Sequence, residues 1–265
     1  MSSDKKYVAI FLEPIEKSRL YKPKFGNASK ADGYTLSQFH ELYGADPFYS
    51  WIGLNSDLMY ATHKAAGGMT SVYRQIGIGC ERLLREIIFD KTGYKDRELA
   101  TWSYTTKTKA GKKKTLSLDG RLEVSEIRNK QIKQSVENWV IAYCKNLNEV
   151  SPPKNGIVFE VRQGYKSKDS KRQNADIDNA TVAWANGYMP VFAIFSSQID
   201  FDIVLRYQNN RCGILTGINN DDPNLSLFAF CKVVLGYNLA GFFERNSIEI
   251  KKCVEPVVSS LLSAE

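Results

Sequence analysis

The spacing of apolar positions along this chain switches between two periods, and the switches mark its elements. Over residues 70–90, Val72, Ile76, Cys80, Leu83, Leu84, Ile87 and Ile88 recur every three to four positions, which predicts a helix with one buried stripe. Gly77 and Gly79 fall inside it, where they weaken the helix or let another backbone approach closely. Residues 98–106 and 115–124 alternate and are rich in β-formers, so they read as two strands. The segment between them, 107–114, carries five lysines around Gly111 and reads as a hairpin turn. Residues 125–148 return to helical spacing, with Ile127, Ile132, Val136, Trp139, Val140 and Tyr143 on one stripe. SPPKNG at 151–156 stops that helix.

A strand over 156–165 follows. Asp169 or Ser170 then caps a helix whose apolar positions are Ile177, Ala180, Thr181 and Trp184, ending at Asn186-Gly187. The continuous apolar run 189–195 fits a strand buried on both faces. A helix over 200–209, a short strand over 212–216, a loop at 218–224, and helices over 225–235 and near 253–263 complete the chain. From residue 70 onward helices and strands interleave, which predicts an α/β fold with a mixed sheet flanked by helices. Residues 1–69 hold many aromatics and turn formers with little clean periodicity, and read as an irregular, partly helical arm packed on a 70–265 core.

Composition narrows the function classes. The 265 residues are 43% hydrophobic, enough for a substantial core. Lys and Arg exceed Asp and Glu by 36 to 29, a net +7 that suits a polyanionic partner. Five cysteines without a CxxC pair read as buried thiols in a reducing compartment, so a cytoplasmic protein is expected. His40 and His63 are the only histidines and read as structural, which leaves a zinc site or a Ser-His-Asp triad poorly supplied. No apolar run approaches the length of a membrane span.

The chemistry concentrates in IVFEVRQGYKSKDSKRQNA at 157–175. Side chains alternate along a strand, so Glu160 and Arg162 share a face. Asp119 lies on the preceding hairpin. If that hairpin pairs beside the 156–165 strand, Asp119 and Glu160 converge on one divalent ion, in an oxygen-rich Mg²⁺ site. Arg162, Lys166 and Lys171 are the candidate cations beside it. Glu81 on the 70–90 helix is a candidate third carboxylate. Lys166, Lys168, Lys171 and Arg172 surround a helix N-terminus, a place suited to a phosphate. Lys112, Lys113 and Lys114 are candidate contacts to a nucleic-acid backbone.

Asp119, then Glu160-Val161-Arg162 on a strand, then a helix, with a hairpin and a Glu-bearing helix upstream, resembles the core of the PD-(D/E)XK nucleases. The size, the basic balance and the run GYKSKDSKRQNAD resemble type II restriction endonucleases of that superfamily. The resemblance covers residues 70–217. It implies a restriction-endonuclease-like sheet, with 125–148 as a helical insertion. It also implies a Mg²⁺-dependent homodimer that cuts double-stranded DNA to leave 5′-phosphates, in a system whose separate DNA methyltransferase protects the host. Three positions depart from the pattern. Leu118 stands where the motif has Pro, the interval from Asp119 to Glu160 is long, and Arg162 stands where the motif has Lys. A guanidinium stays protonated and cannot serve as a base, so Lys166 and Lys171 are candidates for the missing lysine.

Simpler readings compete. Glu160 and Arg162 form an ion pair equally well, Asp119-Gly120 is a hairpin turn signal, and the lysine run is a solvated loop. On those readings the chain is a nucleic-acid-binding protein without catalysis. A third class is a phosphate-ester hydrolase with an anion site at 166–172.

Overall fold

The computed structural model describes residues 3–26, 32–107, 111–147, 151–165 and 169–263, without the side chains of Lys107 and Lys114. The chain divides into two compact units. One comprises residues 1–79 with 245–265, and the other residues 80–244.

The first unit is helical. It holds α1 (Ser3–Lys17), α2 (Leu36–Gly44), α3 (Pro47–Trp51), the first part of α4 (Asp57–Thr92) and most of a C-terminal helix, Leu239–Leu262. The expected irregular arm is therefore largely helix. In α1, Tyr7, Val8, Phe11, Leu12 and Ile15 are buried at helical spacing, a stripe hidden among the turn-formers that follow. Thr35 and Gln38 cap α2 reciprocally. The aromatics pack on one another: Phe25 lies 5.0 Å from Phe39, and Phe39 lies 4.4 Å from Tyr43. His63 packs edge-on against Phe25, and His40 pairs with Asp57 at 2.7 Å.

Helix α4 starts thirteen residues before the 70–90 stripe and passes through its glycines without a break. Gly79 explains its own presence. A Cβ there would stand 2.5 Å from the Phe11 carbonyl oxygen, so only glycine lets α1 approach.

The second unit is α/β. Its main sheet has the order β3-β4-β5-β6, with β3 (Gly120–Glu123), β4 (Gly156–Arg162), β5 (Tyr188–Ile194) and β6 (Gly213–Leu215). β3 is antiparallel to β4, and the other pairs are parallel, so the sheet is mixed. A separate two-stranded ladder joins β1 (Trp102–Lys107) to β2 (Lys113–Leu118). The remaining helices are α5 (Lys130–Asn146), α6 (Ser170–Ala185), α7 (Phe201–Asn209) and α8 (Leu227–Val233), which makes Leu239–Leu262 α9. All seven residues of β5 are buried, as a strand covered on both faces requires.

One face of the sheet packs on α6 and α7, where Phe192 stacks on Tyr207 at 4.3 Å. The other packs on α5 and α8 through Phe159, Phe230 and Trp139. Four of the five cysteines are buried, and none forms a disulfide. No described helix is long and apolar enough to cross a membrane.

Two differences from expectation matter for the site. The strand expected over 115–124 breaks at Asp119: Leu118 pairs with Trp102 in one ladder, and Gly120 pairs with Phe159 in the other. The buried face of α6 also overlaps only in part with the one that apolar spacing marked: Ile177 and Ala180 pack in the core, but polar residues are buried with them. Gln173, Asp176, Ala180 and Ala183 are buried, while the Trp184 indole reaches out to the Arg211 carbonyl. Two alanines let the helix lie close to the sheet and carry a polar turn down onto it.

Phe192→Ala should cost about 3–5 kcal/mol, because it empties a site 2% exposed and unstacks Tyr207. Urea denaturation followed by tryptophan fluorescence measures it.

Candidate active site

Asp119 sits where the chain passes from one ladder to the other, and its backbone and side chain both fix it there. Its N–H donates to the Phe159 carbonyl at 2.8 Å. Its carboxylate accepts the Val161 N–H at 2.8 Å. Its carbonyl accepts Arg85 Nε at 2.9 Å from α4. The Asp-Gly pair is thus a switch between ladders and not a hairpin tip. The β3–β4 register, in which Gly120 faces Phe159, sets Asp119 beside Glu160.

Glu160 and Arg162 share a face of β4 as alternation predicts. They form an ion pair, Arg162 Nη2 to Glu160 Oε1 at 2.7 Å. The same Nη2 reaches Asp176 Oδ1 on α6 at 2.9 Å. Asp176 Oδ2 accepts the Tyr207 hydroxyl at 2.8 Å and the Tyr165 hydroxyl at 3.2 Å. A line of buried charge therefore runs Asp119, Glu160, Arg162, Asp176. Glu81 flanks Asp119 from α4 and is ion-paired to Arg85.

Burial sets the electrostatics. It pushes the Asp119 carboxyl up to about 6, with the Glu81 charge adding to it and the Val161 N–H, Arg162 and Arg85 opposing. Burial likewise pushes Glu160 up to about 8. Asp119 adds to that shift, while Arg162 and Arg172 oppose it. For Arg162 burial works against the charge, but Glu160 and Asp176 outweigh it and hold the guanidinium protonated. Its Nε is buried and has no hydrogen-bond partner.

The other expected site residues fall out unevenly. Arg172, in the first turn of α6, makes its charge felt at Glu160. Lys171 is exposed on the same turn, where its N–H is capped by Asp169. Lys166 and Lys168 lie outside the described residues. Lys112 and Lys113 are exposed at the tip of the β1–β2 ladder, and Lys114 is described only by its backbone in β2. Six residues of extended strand separate Lys113 from Asp119, about 20 Å. The hairpin lysines are therefore not part of the carboxylate cluster.

Asp176 was not legible from spacing. Its one sequence signal is a position four and seven residues before the small Ala180 and Ala183, on the face that turns to the sheet.

The donor set fits a divalent cation. Two buried carboxylates are adjacent, each repels the other's charge, and each keeps an oxygen to which no described protein group donates. Hard oxygen ligands of this kind suit Mg²⁺. Among the described residues no group of three or more His, Cys, Asp or Glu is arranged to hold a metal, so water or a phosphate oxygen would complete the shell. A void of about 10 Å³ lies between the sheet and α6 and is lined in part by Glu160 and Asp176.

No family model, curated protein or solved structure matches this chain.

Both carboxyls hold protons in the folded state that the unfolded chain has released above its ordinary values of 3.8 and 4.5. Stability should therefore fall as pH rises from about 4 to about 8 in chelator. Thermal melts across that range should show the slope, and Glu160→Gln should flatten it and melt higher than the parent at pH 8.

Proposed function

We propose that this chain is a Mg²⁺-dependent endonuclease acting on double-stranded DNA, with a PD-(D/E)XK-type core and the character of a type II restriction enzyme. The observation that carries the reading is Asp119 set beside Glu160 across the β3–β4 ladder, with Arg162 two residues on from Glu160. The order of elements supports it. A Glu-bearing helix, the β1–β2 hairpin, β3, α5, the strand with Glu160, a helix and a parallel strand come in the chain order that the resemblance implies, although the hairpin forms a ladder of its own. Within this reading α5 is the insertion between Asp119 and Glu160.

Asp119 and Glu160 would hold the cation. When bound, it supplies charge to polarise a phosphate and lowers the pKa of a coordinated water. The remaining steps belong to the chain. Arg162, permanently charged, adds positive charge beside the carboxylates and cannot take a proton. Arg172 lies close enough to lower Glu160 and adds positive charge on the same side. The exposed first turn of α6 offers Lys171 as a further phosphate contact. Lys112 and Lys113, set well away from the carboxylates, suit contacts to the DNA backbone. One such centre cuts one strand, and a two-fold homodimer would cut both.

One observation favours a second reading. Arg162 bridges Glu160 and Asp176, and a charge pair can be purely structural. The chain would then bind nucleic acid without cutting it.

Plasmid cleavage separates the two. Cutting at discrete sites with Mg²⁺ and none in chelator is expected. Asp119→Ala and Glu160→Ala should each lower the rate by about a thousandfold, the several kcal/mol a catalytic metal supplies, while DNA binding persists. Parental cutting by both variants would remove the site assignment, and no cutting by the parent on any duplex would leave the binding reading. Lys112→Ala with Lys113→Ala should reduce the slope of log K against log salt by about 0.9 for each phosphate no longer neutralised, in filter binding or fluorescence anisotropy.

A further inference from the structure

Arg162 Nη2 serves two carboxylates, and the two are anchored very differently. Asp176 is held from both sides: one oxygen takes Arg162, and the other takes the hydroxyls of Tyr207 and Tyr165. Those hydroxyls are themselves 2.6 Å apart, and the Tyr207 ring stacks on Phe192 in the sheet. Glu160 has no such backing, since Arg162 is its one ion-pair or hydrogen-bond partner among the described residues. Residue 160 must stay free to ligate if it is to hold a cation. A guanidinium 2.7 Å away opposes that unless something else holds the guanidinium.

We propose that Asp176 is a positioning residue that tethers Arg162, so that Glu160 stays available to a divalent cation. The proposal rests on Asp119 and Glu160 being the cation ligands. It adds a functional role for a helix residue outside the strand motif and assigns Tyr165 and Tyr207 to support it. Without Asp176, Arg162 settles wholly on Glu160, and the neutralised pair no longer attracts a divalent cation.

The tether is distinguished from simple removal of a nearby negative charge by a double-mutant cycle read as Mn²⁺ affinity, measured by isothermal titration calorimetry with no DNA present. Asp176→Asn should weaken Mn²⁺ binding about tenfold, a coupling within the usual range for contacting groups. In an Arg162→Met background the same substitution should change affinity by less than about twofold, because no guanidinium remains to be released onto Glu160. Tyr207→Phe, which removes one hydroxyl and leaves the ring stacked on Phe192, should weaken binding by about twofold to threefold and likewise have no effect in Arg162→Met. Circular dichroism melts identify the variants that fold, and Tyr207→Phe carries the cycle if Asp176→Asn does not. Equal weakening in both backgrounds would mean that Asp176 acts through charge alone, and the tether would be overturned. Parental affinity in both single variants would overturn it as well, leaving the metal site standing. Absence of Mn²⁺ binding by the parent protein at millimolar concentration would overturn the metal site and the tether together.

Discussion

Two carboxylates held side by side in a buried position are the constraint on which the rest of this site depends. Water solvates such a pair cheaply, and a protein interior does not. Asp119 and Glu160 are pushed upward by burial and by neighbouring negative charge, so the surroundings must supply positive charge, donors or both. Each neighbouring feature answers that demand. The Val161 N–H turns toward Asp119, Arg85 fixes the Asp119 backbone, and Arg162 crosses to Glu160. The compensation is incomplete, and an incompletely neutralised oxygen-rich pair is what a hard divalent cation requires.

The fold delivers the pair through one discontinuity. A strand continuing straight from 115 to 124 would pair along one ladder only. Asp119 instead ends the β1–β2 ladder and begins pairing with β4. Asp suits that junction because its short carboxylate reaches a backbone N–H on the neighbouring strand, two residues beyond the Phe159 that its own N–H meets. On the other side of Glu160, α6 approaches the sheet on Ala180 and Ala183, which brings Asp176 down beside Arg162. Removing Arg162 from such a buried charge line is costly, on the order of 3–5 kcal/mol, because the carboxylates around it are left uncompensated. These side chains therefore bear on stability as well as on the proposed chemistry.

Much of this was legible along the chain. The helix stripe through Leu83 to Ile88, the α5 stripe from Ile132 to Tyr143 and the buried run of β5 all follow from period alone. The shared face of Glu160 and Arg162 follows from strand alternation, and the role of Asp169 as a helix cap from its place before the α6 stripe. Other features were not. The aromatic-rich first 69 residues obscured the helical stripe of α1. Apolar spacing marked only part of the buried face of α6, because a hydrophobicity pattern cannot see that Asp176 is buried with a guanidinium and two tyrosine hydroxyls waiting for it.

What the sequence determined by itself is local: which segments between the 70–90 stripe and β6 are mainly helix or strand, and that Glu160 and Arg162 point the same way. Those properties depend on residues a few positions apart, and period, caps and turn formers carry them. The tertiary structure alone decided which groups meet. Asp119 beside Glu160 needs a register between strands nearly forty residues apart, and Asp176 on Arg162 needs a helix seated on a sheet. The stretch around Glu160 thus announced its residue types, while their protonation, partners and remaining open oxygens are consequences of burial.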